Sequence, residues 1–392
     1  MFTVSSRVIA ALLALLCFPV ASHAVLEIPL AYLKLETESA PVLSNILPEP
    51  EDAGLQGAAL GVSDSNTTGR FLKHEYRLES ASAASLATLV SQAETWLGEG
   101  IAYFLLDMPA AEIRSFAAHF ADQPVLLFNV GSRDTALRTR DCPANTLHTR
   151  PSDAMLADAL GQWFVSRKQK QWFLVTGSRD ADLAFAEGLR RTAKRYGIEL
   201  VADKPWTFDI DLRRTASQEM PAFTRARDYD AVIVADVAGD FGEYVLHNTW
   251  LPRPVAGTQG LMPVTWHRAV EQWGAAQLQS RFEEQAGRWM NSLDYAAWAA
   301  TRTVAEAVTR TQSADRQTVL DYILSDDFEL AAFKGRKLNY RLWNGQLRQP
   351  VPLVHPRALV AQAPLEGFLH PETELDTLGT EQRESDCRLF SQ

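Results

Sequence analysis

The stretch from residue 146 to 203 constrains the chain most, because its pattern admits one kind of layered architecture. Met155, Leu156, Ala159, Leu160, Trp163 and Phe164 recur at three- and four-residue spacing. That spacing predicts a helix with one apolar stripe and with Asp158, Gln162 and Arg167 facing out. Ser152 or Asp153 is placed to cap its start. Residues 172–176 form a short apolar run closed by Gly177, which predicts a strand covered on both faces. Leu183, Phe185, Ala186, Leu189, Ala193 and Tyr196 mark a second amphipathic helix that stops at Gly197, ahead of a strand over 198–201. Strand, helix and strand in this rhythm imply right-handed crossovers in a parallel sheet. The predicted fold class is α/β.

The same alternation runs on both sides of this unit. Before it come strands at 26–35, 75–78, 101–106 and 124–129, with helices at 54–62, 82–97 and 110–120 and a polar turn at 64–70. The stretch 36–53 reads as a loop. After it come a helix at 220–227, a strand at 231–235, a helix reaching Leu246 and a strand at 254–257 expected to return to the first half. Residues 266–311 read as mostly helical, with Trp273, Phe282, Trp289, Met290 and Trp298 as core candidates. Asn344-Gly345 between alternating runs predicts a hairpin over 337–353, and 362–392 reads as a surface tail. A chain of 392 residues can bury two cores. The expected division is 25–147 with 256–335 as one lobe, 148–255 with 336–361 as the other, and 362–392 as the tail.

Arg7, an apolar run over 8–20 and the small residues around Ala21 and Ala24 have the form of a signal peptide cleaved after Ala24, which places the mature chain in the periplasm. Leu16 ahead of Cys17 disfavours lipidation at that cysteine. Cys142 and Cys387 are then the remaining thiols in an oxidising compartment, and either one disulfide or two buried thiols fits them. The net charge of −10 argues against a nucleic-acid or anionic-membrane surface.

No GxSxG, GxxxxGK(S/T), GxGxxG or HExxH motif occurs, so no covalent chemistry, cofactor or metal is expected. The candidate ligand-binding residues lie on loops at strand ends: Lys34 and Glu36; Asn129, Ser132, Arg133, Asp134 and Thr135; His148 and Arg150; Ser178 and Arg179; Asp236 and Asp240; Thr258 and Gln259. Glu36, Asp134, Asp236 and Asp240 form a variant oxygen-ligand set for a metal.

From the segment 146–203 outward, over about 25–370, the sequence resembles the type I periplasmic solute-binding proteins, the branched-chain amino acid binding group. The resemblance implies a two-lobed clamp with its ligand in the interlobe cleft, hydroxyls from Ser132 and Thr135, and an ABC permease as partner. The family's aromatic pair and its ammonium-binding acid fall at Ser178 or Arg179, Asp236 and Gln259 here, which argues against an α-amino acid ligand. Phe333-Lys334-Gly335, residues 340–350, Glu366-Gly367-Phe368-Leu369-His370 and 375–379 resemble the subgroup associated with PQQ-dependent alcohol oxidation. That resemblance implies a periplasmic quinoprotein dehydrogenase as a possible partner protein, through a sensor or scaffold role in place of transport.

One expectation is directly checkable. Expressed with its leader in a Gram-negative host, the protein recovered from the periplasm should begin at Val25 by intact-mass measurement. A product retaining residues 1–24 would remove the export reading.

Overall fold

A computed structural model describes residues 25–37, 48–206 and 212–390, and the leader and Cys17 lie outside the described residues. The chain forms two α/β lobes. The first is a five-stranded parallel sheet in the order β2-β1-β3-β4-β5: β1 is Leu26–Leu35, β2 His74–Ala83, β3 Tyr103–Asp107, β4 Leu126–Asn129 and β5 Thr146–His148. β1 lies inside the sheet, so both its faces are apolar. Ile28, Leu30 and Tyr32 enter one core, and Ala31 and Leu33 enter the core on the opposite face. Helices α2 (Leu86–Gly98) and α3 (Ala110–His119) cover that opposite face. Helices α1 (Leu55–Leu72), α7 (Ala275–Ala286), α8 (Ser292–Thr311) and α9 (Arg316–Ile323) cover the other.

Helix α1 runs straight through 64–70, where the polar composition predicts a turn. Those polar residues are used inside the helix: Asp64 accepts from Arg281 and from Trp298 Nε1, and Asn66 bonds both backbone groups of Tyr76. Gly57 and Gly61 let α1 press onto α8. A Cβ at Gly57 would lie 1.9 Å from the Asp294 carbonyl oxygen, and one at Gly61 2.7 Å from Thr301 Cβ.

The second lobe is a four-stranded parallel sheet, β7-β6-β8-β9, made of Gln171–Thr176 (β6), Glu199–Pro205 (β7), Ala231–Ala235 (β8) and Val255–Gly257 (β9). β9 pairs in parallel with β8, so the strand expected to return to the first lobe completes the second sheet instead. Helices α4 (Asp153–Ser166), α5 (Asp180–Tyr196) and α6 (Leu212–Phe223) flank it. α4 starts at the Ser152 cap, whose hydroxyl accepts from Met155 N, and α5 ends at Gly197 with a left-handed φ of 63°. The helix expected through Leu246 is a short 3-10 turn at Gly242–Tyr244.

The chain passes between the lobes at 148–153, at 257–264 and again through the C-terminal strands. There, after the short strands β10 (Met262–Pro263) and β11 (Leu330–Ala331), the hairpin of β12 (Lys337–Tyr340) and β13 (Leu347–Arg348) precedes β14 (Val351–His355) and β15 (Ala358–Ala363). Leu338, Tyr340 and Leu347 are buried in the first lobe's core, while Val351, Leu353 and Ala363 are buried in the second's.

Two polar residues expected on the outer face of α4 are the largest departure from the helical pattern: Asp158 and Gln162 are both fully buried. The tail covers them. Asp158 takes bonds from Arg191, Arg195, Thr192 and the Gly379 amide, and Gln162 accepts from Leu365 N. Leu183, expected inward, is exposed, as are Trp273 and Trp289, which lie outside the α8 stripe. The Cys142–Cys387 disulfide forms, with Cα atoms 5.9 Å apart. On the first lobe, the tail is also held by Asp386 N to the Thr139 carbonyl and Ser385 Oγ to the Arg138 carbonyl. Segment 375–390 is therefore a strap tied to both lobes.

Two measurements follow from this strap. Asp158→Ala strands two arginines among buried groups and should destabilise by about 3 to 5 kcal/mol in denaturant unfolding; a loss under ~1 kcal/mol would show the cluster to be peripheral. Burial pushes the Asp376 carboxyl up, but Arg341 and Arg348 outweigh it and hold the group below the ordinary carboxylate range. The stability it contributes is thus present above the unfolded-state value and lost as pH falls through the folded one. Asp376→Asn should flatten the stability slope below about pH 4, read by urea unfolding at stepped pH.

Candidate functional site

The first sheet changes the direction of its connections between β1 and β3, and the second between β6 and β8. Open α/β sheets bind ligands in the crevice that such a switch leaves at the carboxyl ends of the strands. In the first lobe, register puts Lys34 opposite Asp107, and Asn129 opposite His148, so these four side chains end adjacent strands.

Each is anchored differently. Lys34 donates to the Glu51 carbonyl at 2.7 Å, which holds the loop before α1. Glu36 is exposed and accepts from Ser82 Oγ. Asn129 donates to the Ser132 carbonyl and accepts from the Ser132 amide, closing the loop after β4. Its Nδ2 also lies 3.0 Å from His148 Nδ1, which fixes that nitrogen as the acceptor. Burial pushes the His148 imidazole well below its ordinary value, so the ring is neutral. Ser132 Oγ takes the Asp134 amide, Asp134 takes the Ala136 amide, and Thr135 Oγ1 takes the Ala154 amide at the start of α4. Ser132 and Thr135 each accept a backbone amide, which leaves the O–H of both able to donate.

Two arginines complete this end. Arg133 lies 3.2 Å from Asp153 and 5.7 Å from the Phe185 ring, both in the second lobe, so the loop after β4 is an interlobe contact. Arg150 sits on the first crossing. Its carbonyl accepts from Arg138 and Gln346, while its guanidinium makes no hydrogen bond or ion pair among the described residues. Burial and the charge of Arg133 pull its pKa down.

The second lobe's end is built round three acids. Asp236 is buried and accepts from the amides of Asp240, Phe241 and Gly242. Burial pushes its carboxyl up, against the downward pull of those amides. Asp240 forms a two-pronged pair with Arg179 at 2.6 and 3.0 Å, a bond that raises the arginine's pKa. Ser178 is exposed beside it. Thr258 Oγ1 takes the Asp236 amide and bonds Gln259, which is buried. The variant metal set does not assemble: Asp236 and Asp240 lie together, but with Asp182 in place of Glu36 and Asp134. Asp182 accepts from the amides of Val237 and Ala238, so this trio's oxygens are largely committed to turns.

Sequence reasoning missed Tyr32, Asp107, Asp182, Thr176 and Trp206. The Tyr32 hydroxyl donates to Asp107 at 2.9 Å, and burial raises the Asp107 carboxyl above its ordinary value, with Tyr32, Arg150 and Lys34 pulling it back. An acid straight after the apolar run 103–106 was the available signal. Thr176 Oγ1 and Trp206 Nε1 are buried without partners where β6 and β7 end, and the Trp206 amide donates to the Thr176 carbonyl at 2.7 Å. A concavity of about 1050 Å³ lies elsewhere, beneath the tail between Trp343, Arg348, His370 and Arg383.

Residues 49–242 match the family model described as periplasmic binding protein. No curated protein sequence matches the chain. Among solved structures, a branched-chain amino acid ABC transporter periplasmic ligand-binding protein from Burkholderia xenovorans LB400 is 15% identical, with a TM-score of 0.72 over 92% of this chain and 99% of that one. An ABC transporter solute-binding protein from R. palustris, in complex with benzoate, is 11% identical, with a TM-score of 0.66 over 93% and 100% of the two chains. An ABC transporter substrate-binding protein from Desulfitobacterium hafniense, in complex with Leu, is 14% identical, with a TM-score of 0.63 over 85% and 98%. Two parallel-sheet lobes, their three crossings and the match over 49–242 together give the chain the fold of the type I periplasmic binding proteins.

Proposed function

We propose that this protein is the periplasmic substrate-binding component of an ABC importer, capturing a small solute between the two switch points by hinge closure. What supports this reading is that each sheet ends in polar loops at its switch point and that the loop after β4 touches the second lobe through Arg133 with Asp153 and Phe185. The lobes join through short crossings, which suits rotation of one rigid body on the other. Closure is driven by the difference in contact free energy that a ligand finds between open and closed forms. Captured solute would then be handed to a membrane permease; no bond is made or broken. The site is proposed to comprise Arg150, Lys34, Ser178 and Arg179, with Asn129, Ser132, Asp134, Thr135, His148, Asp236, Asp240, Thr258 and Gln259 shaping the loops around it. Export with cleavage after Ala24 rests on the leader's own residues, and a link to PQQ-dependent alcohol oxidation rests on the sequence resemblance alone. A quinoprotein dehydrogenase as docking partner belongs to that link.

The test is a thermal-shift screen of the mature protein against alcohols, carboxylates, amino acids, PQQ and metal ions. A ligand at a hundred times its Kd stabilises a one-site protein by about 2.7 kcal/mol. One class should therefore raise Tm with concentration and shrink the radius of gyration in solution scattering. A flat response across the panel would overturn solute capture.

A further inference from the structure

We infer that the captured solute is an organic carboxylate bound by Arg150, an inference that rests on the capture reading above. Arg150 follows β5 on the segment that crosses to α4, and its backbone is fixed on both sides. Its carbonyl accepts from Arg138 at 3.0 Å and from Gln346 at 3.2 Å, and the Asn129 carbonyl accepts from the neighbouring Thr149 amide. The side chain is the opposite case. Its Nε is shut off from water and has no partner, and no described carboxylate bonds the guanidinium. A charge withdrawn from water and left unpaired is costly, and a chain keeps one where something else supplies the counter-charge.

Of the acids whose charge reaches Arg150, Glu49 is exposed to water on the loop before α1, and the others are already engaged. Asp107 takes the Tyr32 hydroxyl, Asp153 lies against Arg133 and Asp134 takes the Ala136 amide. The other guanidiniums are engaged too: Arg138 spends its donors on Gln346 and three carbonyls, and Arg179 pairs with Asp240. The first lobe's crevice thus offers an unbonded guanidinium on a fixed backbone, near the partnerless Nε2 of His148, and its planar fork matches a carboxylate with two parallel bonds.

The test uses the full mature chain and matched pairs that differ in one charge: propionate and propionamide, lactate and lactamide, benzoate and benzamide, beside ethanol and leucine. At least one acid should bind, measured by calorimetry, with its amide weaker by tenfold or more. Arg150→Gln should weaken that acid about thirtyfold, a charge-assisted bond's share, and leave the amide's affinity unchanged; Arg150→Lys should recover part of the loss. Without ligand, Arg150→Gln should melt at or above the parent temperature, because it removes an unpaired charge. A marked drop in that Tm would make Arg150 structural and overturn the assignment. Equal binding of acid and amide, or binding of ethanol alone, would overturn the carboxylate class while leaving capture standing. No binding by any probe, together with a flat thermal-shift panel, would take the capture reading down with it.

Discussion

The buried carboxylate of Asp158 is the interaction on which the relation of tail to lobes depends. It is fully shielded from water, and it collects two arginines and a threonine hydroxyl from α5 and a backbone amide from the tail. Burial alone pushes that carboxyl up, and Arg191 and Arg195 oppose the push. The cluster repays its desolvation only with all its partners in place, so the tail becomes part of the second lobe's structure. Arg341 is organised on the same principle. It is buried in the hairpin after β12 and bonds Asp376 and the Leu378 carbonyl, both on the tail. A charged residue from each lobe thereby meets the same short segment.

This explains the division of labour at the strand ends. Most polar side chains there serve the backbone: Asn129 and Asp134 close the loop after β4, and Asp236 and Asp182 close the loop after β8. Loops held this way keep their shape without a ligand, which lowers the ordering cost of binding. The groups left over, Arg150 Nε and His148 Nε2 in the first lobe and Thr176 and Trp206 in the second, then stand out by contrast.

The parallel sheets were legible because a strand covered on both faces must be apolar throughout, and 172–176 and 231–235 can hardly be read otherwise. The Ser152 cap and the Gly197 stop were legible because their chemistry is local. Asp158 and Gln162 misled for the converse reason: periodicity reports which residues are polar, and a later segment decides whether a polar face meets water. The same limit hid the continuation of α1 through 64–70, where the partners of Asp64 lie more than two hundred residues away. Candidate loops were found, since strand ends are visible in sequence. Which side chains stay free was not, because that depends on hydrogen bonds among loops far apart in the chain.

The strap gives the chain a direction in time. A polypeptide made or exported from its N-terminus presents Cys142 and Asp158 long before Gly379 and Cys387, 245 residues separating the two cysteines. Until the last stretch emerges, Asp158 has its α5 partners but lacks the Gly379 amide, and the hairpin carries the unpaired guanidinium of Arg341. Both lobes can gather their sheets early from nearby strands, yet neither can finish its polar surface alone. A chain cut short before residue 375 would keep every strand of the two parallel sheets and lose the Asp376 carboxylate that neutralises Arg341 and the Gly379 amide that completes the Asp158 cluster, making this short terminal segment a quality seal on the whole.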